Sequence, residues 1–188
     1  MSVRTGKGPR VLVLGIGNLV MSDDGVGVRV VQQLQREYRF AESVEILDGG
    51  TLGLDLLPAL EGIEHLIVVD AVETGQKPGT CVRLAGEELP IALETKVSAH
   101  QMGLKDLLSV ARLLGHSPGE MVLIGVQTGS IEMDTELTPE VDAVLQVLVD
   151  NVLDELKKTG IIPIPNQGVI LTRPAASPCG APSRSNLI

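Results

Sequence analysis

Short aliphatic runs alternate along this chain with longer stretches whose apolar residues recur at helical spacing, a pattern that fits a sheet covered by helices and little else. Residues 10–14 (RVLVL) read as a strand ending in glycine, and Val26, Val30, Val31, Leu34 and Tyr38 then form a helical stripe up to about residue 39. A second strand, Val44–Leu47, ends at Asp48, and a short helical segment interrupted by Pro58 follows to Leu60. A third strand, His65–Val69, ends at Asp70. Residues 80–84 read as a short strand, antiparallel because the link from Asp70 is too short for a helical crossover. Ser98 and Gln101 have the spacing of a capping box, with Ser98 as N-cap, and Leu104, Leu107, Leu108, Ala111 and Leu114 continue as a stripe that Gly115 closes. After a strand at Met121–Val126, Thr138 and Pro139 supply a cap and a first-turn proline. One long helix then runs through Val141, Val144, Leu145, Leu148, Val152 and Leu156 to Gly160.

The expected fold is therefore α/β, a single domain with a mostly parallel twisted sheet of about five strands and helices on both faces. With no Trp, one Tyr and one Phe, the core must be built from Val, Leu and Ile, which suits parallel strands buried on both faces. At 188 residues and 44% apolar content the chain can bury a sizeable core without disulfide or metal staples. From Pro163 onward Pro, Ser, Asn and Gly dominate without periodicity, so residues 1–162 are expected to form the domain and 163–188 a disordered tail.

A net charge of −9 opposes binding to nucleic acid or to anionic lipid. The apolar runs are strand-length and residues 1–10 carry no signal-peptide core, so a soluble, cytoplasmic protein with no membrane partner is expected. Cys81 and Cys179 have neither CxxC spacing nor an activating setting, and no chemistry is assigned to them.

Open, mostly parallel sheets bind ligands beyond the carboxyl ends of their strands, and Asp24, Asp48 and Asp70 all fall on that solvent-facing edge. Gly15-x-Gly17 after the first strand has part of a dinucleotide fingerprint, but Val20 occupies the third glycine position and no phosphate-binding lysine follows. Asp23 and Asp24 stand where a helix begins, so capping competes with a functional role. Asp70 finishes an aliphatic run, where a carboxylate must be exposed, paired or bound to a cation. His100 falls in the first turn of its helix, where the dipole disfavours the imidazolium and leaves a neutral nitrogen for a metal. His65 and His116 read as an ordinary strand-start and an ordinary helix-end residue. Two carboxylates and one imidazole make a three-ligand set for a divalent transition metal with positions left open, and structural capping stands beside that reading.

The segments VLVLGIGNLVMSDDGVGVRVVQQL, VEILDGGTLGLDLL, HLIVVDAV and KVSAHQMGLKDLL, in that order and spacing, resemble the hydrogenase maturation proteases over residues 10 to about 160. These endopeptidases trim the C-terminus of the large subunit of nickel-iron hydrogenases. The resemblance implies that Asp24, Asp70 and His100 form a metal-binding catalytic site, Asp24 being one methylene shorter than the Glu common at its position. Asp48 falls in the family's DGGT segment, with a part in cleavage or in turn formation. The partner implied is a hydrogenase large-subunit precursor, whose own nickel the triad recognises, with no tightly bound cofactor and a monomeric enzyme. No GxSxG elbow, HExxH helix or Cys-His pair offers an ordinary hydrolase mechanism. The alternatives are a nickel-checking chaperone or binding module that does not cut, and a nucleotide-binding protein.

Overall fold

Period-two alternation along the strands sorts the aliphatic residues into two cores, one on each face of a central sheet. The computed structural model describes residues 8–86 and 99–166, with residues 99–102 as backbone only. In chain order the elements begin with β1 (Val11–Ile16), a 3-10 turn at Ser22–Gly25, α1 (Val26–Glu37), β2 (Tyr38–Arg39) and β3 (Val44–Gly50). A 3-10 helix at Gly53–Leu60, β4 (His65–Val72), β5 (Cys81–Ala85) and α2 (Ala99–Leu113) follow. Then come β6 (Glu120–Gln127), α3 (Pro139–Asp142), α4 (Leu145–Lys158) and β7 (Ile164–Pro165). The main sheet has five strands in the order β3-β1-β4-β6-β5, parallel except for β5, which runs antiparallel to β6. The α/β architecture, the strand number and the antiparallel orientation of β5 all agree with the expectation from sequence.

On one face Val11 and Val13 of β1, Ile67 and Val69 of β4 and Ile124 of β6 pack against α1 and α4. On the other, Leu12, Leu14, Leu66, Val68 and Leu123 pack against the 3-10 helix and against Leu104, Leu107 and Ala111 of α2. Each such fully buried side chain contributes about 1.5–3 kcal/mol, so the aliphatic strands carry the fold without aromatic residues. α1 is seated closely on the sheet. A Cβ on Gly27 would lie 2.2 Å from the Val69 carbonyl oxygen and 2.4 Å from that of Ile16, and one on Gly15 would lie 2.3 Å from the Gly27 carbonyl oxygen. Gly15 therefore serves helix-to-strand contact. Gly17, at φ 136°, makes the turn itself.

Several boundaries differ from the sequence reading. β3 continues past Asp48 to Gly50, and β4 runs past Asp70 to Val72, so Asp70 is an interior strand residue. Ladder pairing explains the extension, because Asp70, Ala71 and Val72 are opposite Gly125, Val126 and Gln127 of β6. The one long helix expected after Thr138 and up to Gly160 is two helices, broken at Ala143 and Val144, where Val144 takes φ −108°, ψ 4°, and the second ends at Lys158. Thr138 occupies the N-cap position of α3 but makes no side-chain cap bond, since its hydroxyl is bound to Asp23. Tyr38 and Arg39 leave the helix to pair with Pro165 and Ile164, and the Asn166 N–H donates to the Glu37 carbonyl at 2.8 Å. Those contacts fall within the stretch read as tail, while residues 167–188, together with Cys179, lie outside the described residues. Ser98, read as the cap of α2, lies outside them as well. No helix among the described residues is long and apolar enough to cross a membrane.

Edge strand β5 is tied to α4 by Arg83, whose guanidinium donates to both carboxylate oxygens of Glu155 at 2.8 and 3.0 Å, with Lys158 bound to the same group. Burial pushes the Glu155 carboxyl up, but the hydrogen bonds and charges of Arg83 and Lys158 more than offset this and leave it below its ordinary value. A depressed carboxyl contributes stability above its unfolded pKa and loses it as pH falls through the folded one. Glu155→Gln should therefore lower stability by about 2 kcal/mol at neutral pH. Urea titrations of both proteins should converge as the medium becomes acidic; a difference that persists at low pH would show that packing, not charge, is what the substitution removes.

Candidate active site

The turn after β1 is tied to the end of β3 and closed on itself. Gly17 donates its N–H to the Gly50 carbonyl at 3.0 Å, and the Asn18 N–H donates to Asp24 Oδ2 at 2.8 Å. Asp24 is buried within the 3-10 turn, and neither it nor Asp23 caps α1, whose N-cap position is Gly25 with no side-chain bond. The capping account of this doublet is thus replaced by contacts beyond the helix. The same bonds answer the nucleotide reading: the N–H groups after the first strand that would cradle a phosphate are occupied by a carbonyl and a carboxylate.

Asp23 is fully buried and ties this turn to the loop after β6. Its Oδ2 accepts from the N–H groups of Gly129 at 2.7 Å and Ser130 at 3.1 Å, and its Oδ1 accepts from the Thr138 N–H at 2.7 Å. Ser22, a non-glycine residue at φ 47°, adds an N–H bond to the Asp134 carbonyl and a hydroxyl bond to the Glu136 carbonyl. Left-handed backbone at such a residue persists only where its surroundings hold it, and these bonds do so. The Arg29 guanidinium on α1 donates to the Thr135 carbonyl from below. Sequence reasoning missed this clamp. Its only trace in the chain is the Asp doublet together with a loop rich in backbone and hydroxyl donors, TGSIEMDTELT, more than a hundred residues away.

Asp70 shares the parity of Leu66, Val68 and Val72, so it points to the face covered by α2. At 2% exposure it is buried, contrary to the expectation of a solvent-facing carboxylate, because β4 is a central strand and continues beyond it. Ladder register sets Gly15 beside Val69, which places Ile16 level with Asp70, and the turn that carries Asp24 leaves directly from Ile16. α2 starts at the same corner: Gly103 and Leu104 line a small cavity with Ile16, Gly50, Thr51 and Gly53. His100 lies in the first turn of α2, one turn before Leu104, and its side chain is outside those described. Asp24, Asp70 and the start of α2 thus lie toward the same end of the sheet.

Asp48 is elsewhere. It shares the parity of Val44 and Ile46, on the α1 face; its Oδ1 accepts from the Gly50 N–H at 3.0 Å and its Oδ2 from Gln32 Nε2 of α1 at 3.3 Å. Of the two roles open to it, this geometry serves the turn. His65 pairs with Glu120 at 3.2 Å at the opposite end of β4, away from the carboxylates. Among the described residues no three His, Cys, Asp or Glu side chains converge as a metal-holding set, and the His100 side chain lies outside those described. Two carboxylates and an imidazole are the donor types that suit a divalent transition ion.

Residues 28–155 match the family model described as hydrogenase maturation protease. The chain is 40% identical over 161 residues to the hydrogenase 2 maturation protease of Escherichia coli (strain K12), covering 85% of this chain and 98% of that protein. It is 41% identical over 157 residues to the hydrogenase expression/formation protein HupD of Rhodobacter capsulatus, covering 82% and 75%. Among solved structures it is similar to the hydrogenase maturating endopeptidase HybD from E. coli, with a TM-score of 0.81 at 40% identity over 85% of this chain and 99% of that one. The [NiFe] hydrogenase maturation protease HybD from Thermococcus kodakarensis gives 0.67 at 32% identity, over 78% and 98%. With a buried carboxylate corner on a matching α/β scaffold and a family match across most of its length, the chain belongs to the hydrogenase maturation proteases, a family of hydrolytic endopeptidases.

Proposed function

We propose that this protein removes the C-terminal extension of a hydrogenase large-subunit precursor once nickel has been inserted, and that Asp24, Asp70 and His100 read the nickel carried by that substrate. The reading is supported by the placement of Asp24, the buried Asp70 and the first turn of α2 toward the same carboxyl end of the sheet. Two carboxylates and an imidazole are donor types that suit a divalent transition ion such as nickel. A set of three short side chains leaves coordination positions for the substrate's own ligands, so the ion is shared at docking and not stored in the enzyme. The precursor's metal then orients the adjacent peptide bond against the sheet edge. The net charge of −9 favours solubility, and the protein is taken to act in the cytoplasm as a monomer.

The test is a processing assay with the full chain and a purified nickel-loaded precursor. The expected result is a faster-migrating precursor band with release of the C-terminal peptide. An intact precursor held in a stable complex would overturn cleavage in favour of a nickel-checking binding module.

A further inference from the structure

Large apolar side chains stand exposed around the corner that holds Asp24 and Asp70. Val20 follows β1, Leu52 and Leu54 follow β3, and Ile131 and Met133 follow β6, the last two at 56% and 85% exposure. All three loops leave the carboxyl ends of parallel strands, so these residues rim one edge of the sheet. The loops of Val20 and Met133 are in direct contact: the Asp134 N–H donates to the Val20 carbonyl at 3.2 Å, and Met21 and Asp134 form a β-bridge.

We propose that Val20, Ile131 and Met133 form a preformed docking platform for the folded surface of the precursor, seating it so that its metal reaches the carboxylates. This rests on the reading given under Proposed function and adds the surface that selects the substrate. Three observations favour that occupant. The cavity at the corner is small, about 40 Å³, so the surface around it offers a folded substrate far more contact than the cavity does. The loop that presents Ile131 and Met133 is fastened by Asp23, Ser22 and Arg29, so exposing these side chains costs little further ordering when a partner arrives. Glu132, Asp134 and Glu136 alternate with the apolar pair, so the matching surface is apolar with Lys or Arg at its border.

The experiment measures kcat and KM for the nickel-loaded precursor with Ile131→Ser/Met133→Ser, Val20→Ser and Glu132→Lys, beside Leu113→Ser and Ile162→Ser as exposed apolar controls elsewhere. The double variant should raise KM about tenfold with kcat nearly unchanged and thermal melting as in the wild type. Val20→Ser, on the neighbouring loop, should move KM in the same direction, Glu132→Lys should weaken the salt dependence of KM, and the controls should match the wild type. Wild-type cleavage with unaltered KM in the double variant and in Val20→Ser overturns the platform and leaves the protease reading standing. A wild-type dimer that Met133→Ser dissociates without change in KM assigns the patch to a second copy of this chain and overturns it too. If the wild type leaves the precursor uncut, the protease reading itself falls, and the platform falls with it.

Discussion

Asp70→Asn should slow processing of a nickel-loaded precursor by at least about a hundredfold while the chain remains folded. The substitution preserves volume and most hydrogen-bonding capacity at a site buried to 2% exposure, and removes only the charge. A carboxylate kept for structure would behave otherwise: losing its charge would cost about 1–3 kcal/mol of stability and leave turnover of the folded fraction near normal. Single-turnover cleavage and thermal melting on the same preparation separate the two cases. Asp24→Asn should act alike, since an amide oxygen can still accept from the Asn18 N–H, and His100→Ala should also abolish cleavage. Ordinary cleavage by all three folded variants would remove them from the site. Asp48→Asn should retain cleavage, because its oxygens serve the Gly50 turn and Gln32 on the other face of the sheet.

A precursor prepared without nickel should resist cleavage even at high enzyme concentration, whereas chelating and desalting the enzyme alone should leave its activity intact. The reason is the incompleteness of a three-donor site, which holds a divalent ion loosely until the substrate's ligands close the coordination shell. Crossing metal-free and metal-loaded preparations of enzyme and precursor reads this directly. Full cleavage of the nickel-free precursor, or lasting loss of activity after chelation of the enzyme alone, would point to a conventional metallopeptidase.

The sequence by itself determined the layered architecture and singled out the residues of the proposed site. Apolar patterning needs no long-range information: continuous aliphatic runs in β1, β4 and β6 and helical spacing in α1, α2 and α4 are local properties, and they dictate a buried parallel sheet with helices on both faces. The short link before β5 dictated its antiparallel direction for the same reason. Asp24, Asp70 and His100 could be singled out because the local pattern sets each next to a change between aliphatic run, turn and helix.

Only the tertiary structure decided what the side chains do there. Asp70 is buried because β6 pairs with β4 two residues beyond it, and strand length is set by the partner strand, not by the run of aliphatic residues. Asp48 and Asp70 look equivalent in sequence, each following an aliphatic run, yet one residue of register decides which face of a sheet a carboxylate meets, and these two meet opposite faces. The one long helix expected up to Gly160 is two: Asp23, more than a hundred residues earlier, holds Thr138 at the start of α3, and α4 packs with α1. Helix propensity varies by tenths of a kcal/mol per residue, roughly 0–0.7, and yields to a buried carboxylate that gathers several hydrogen bonds from a distant loop.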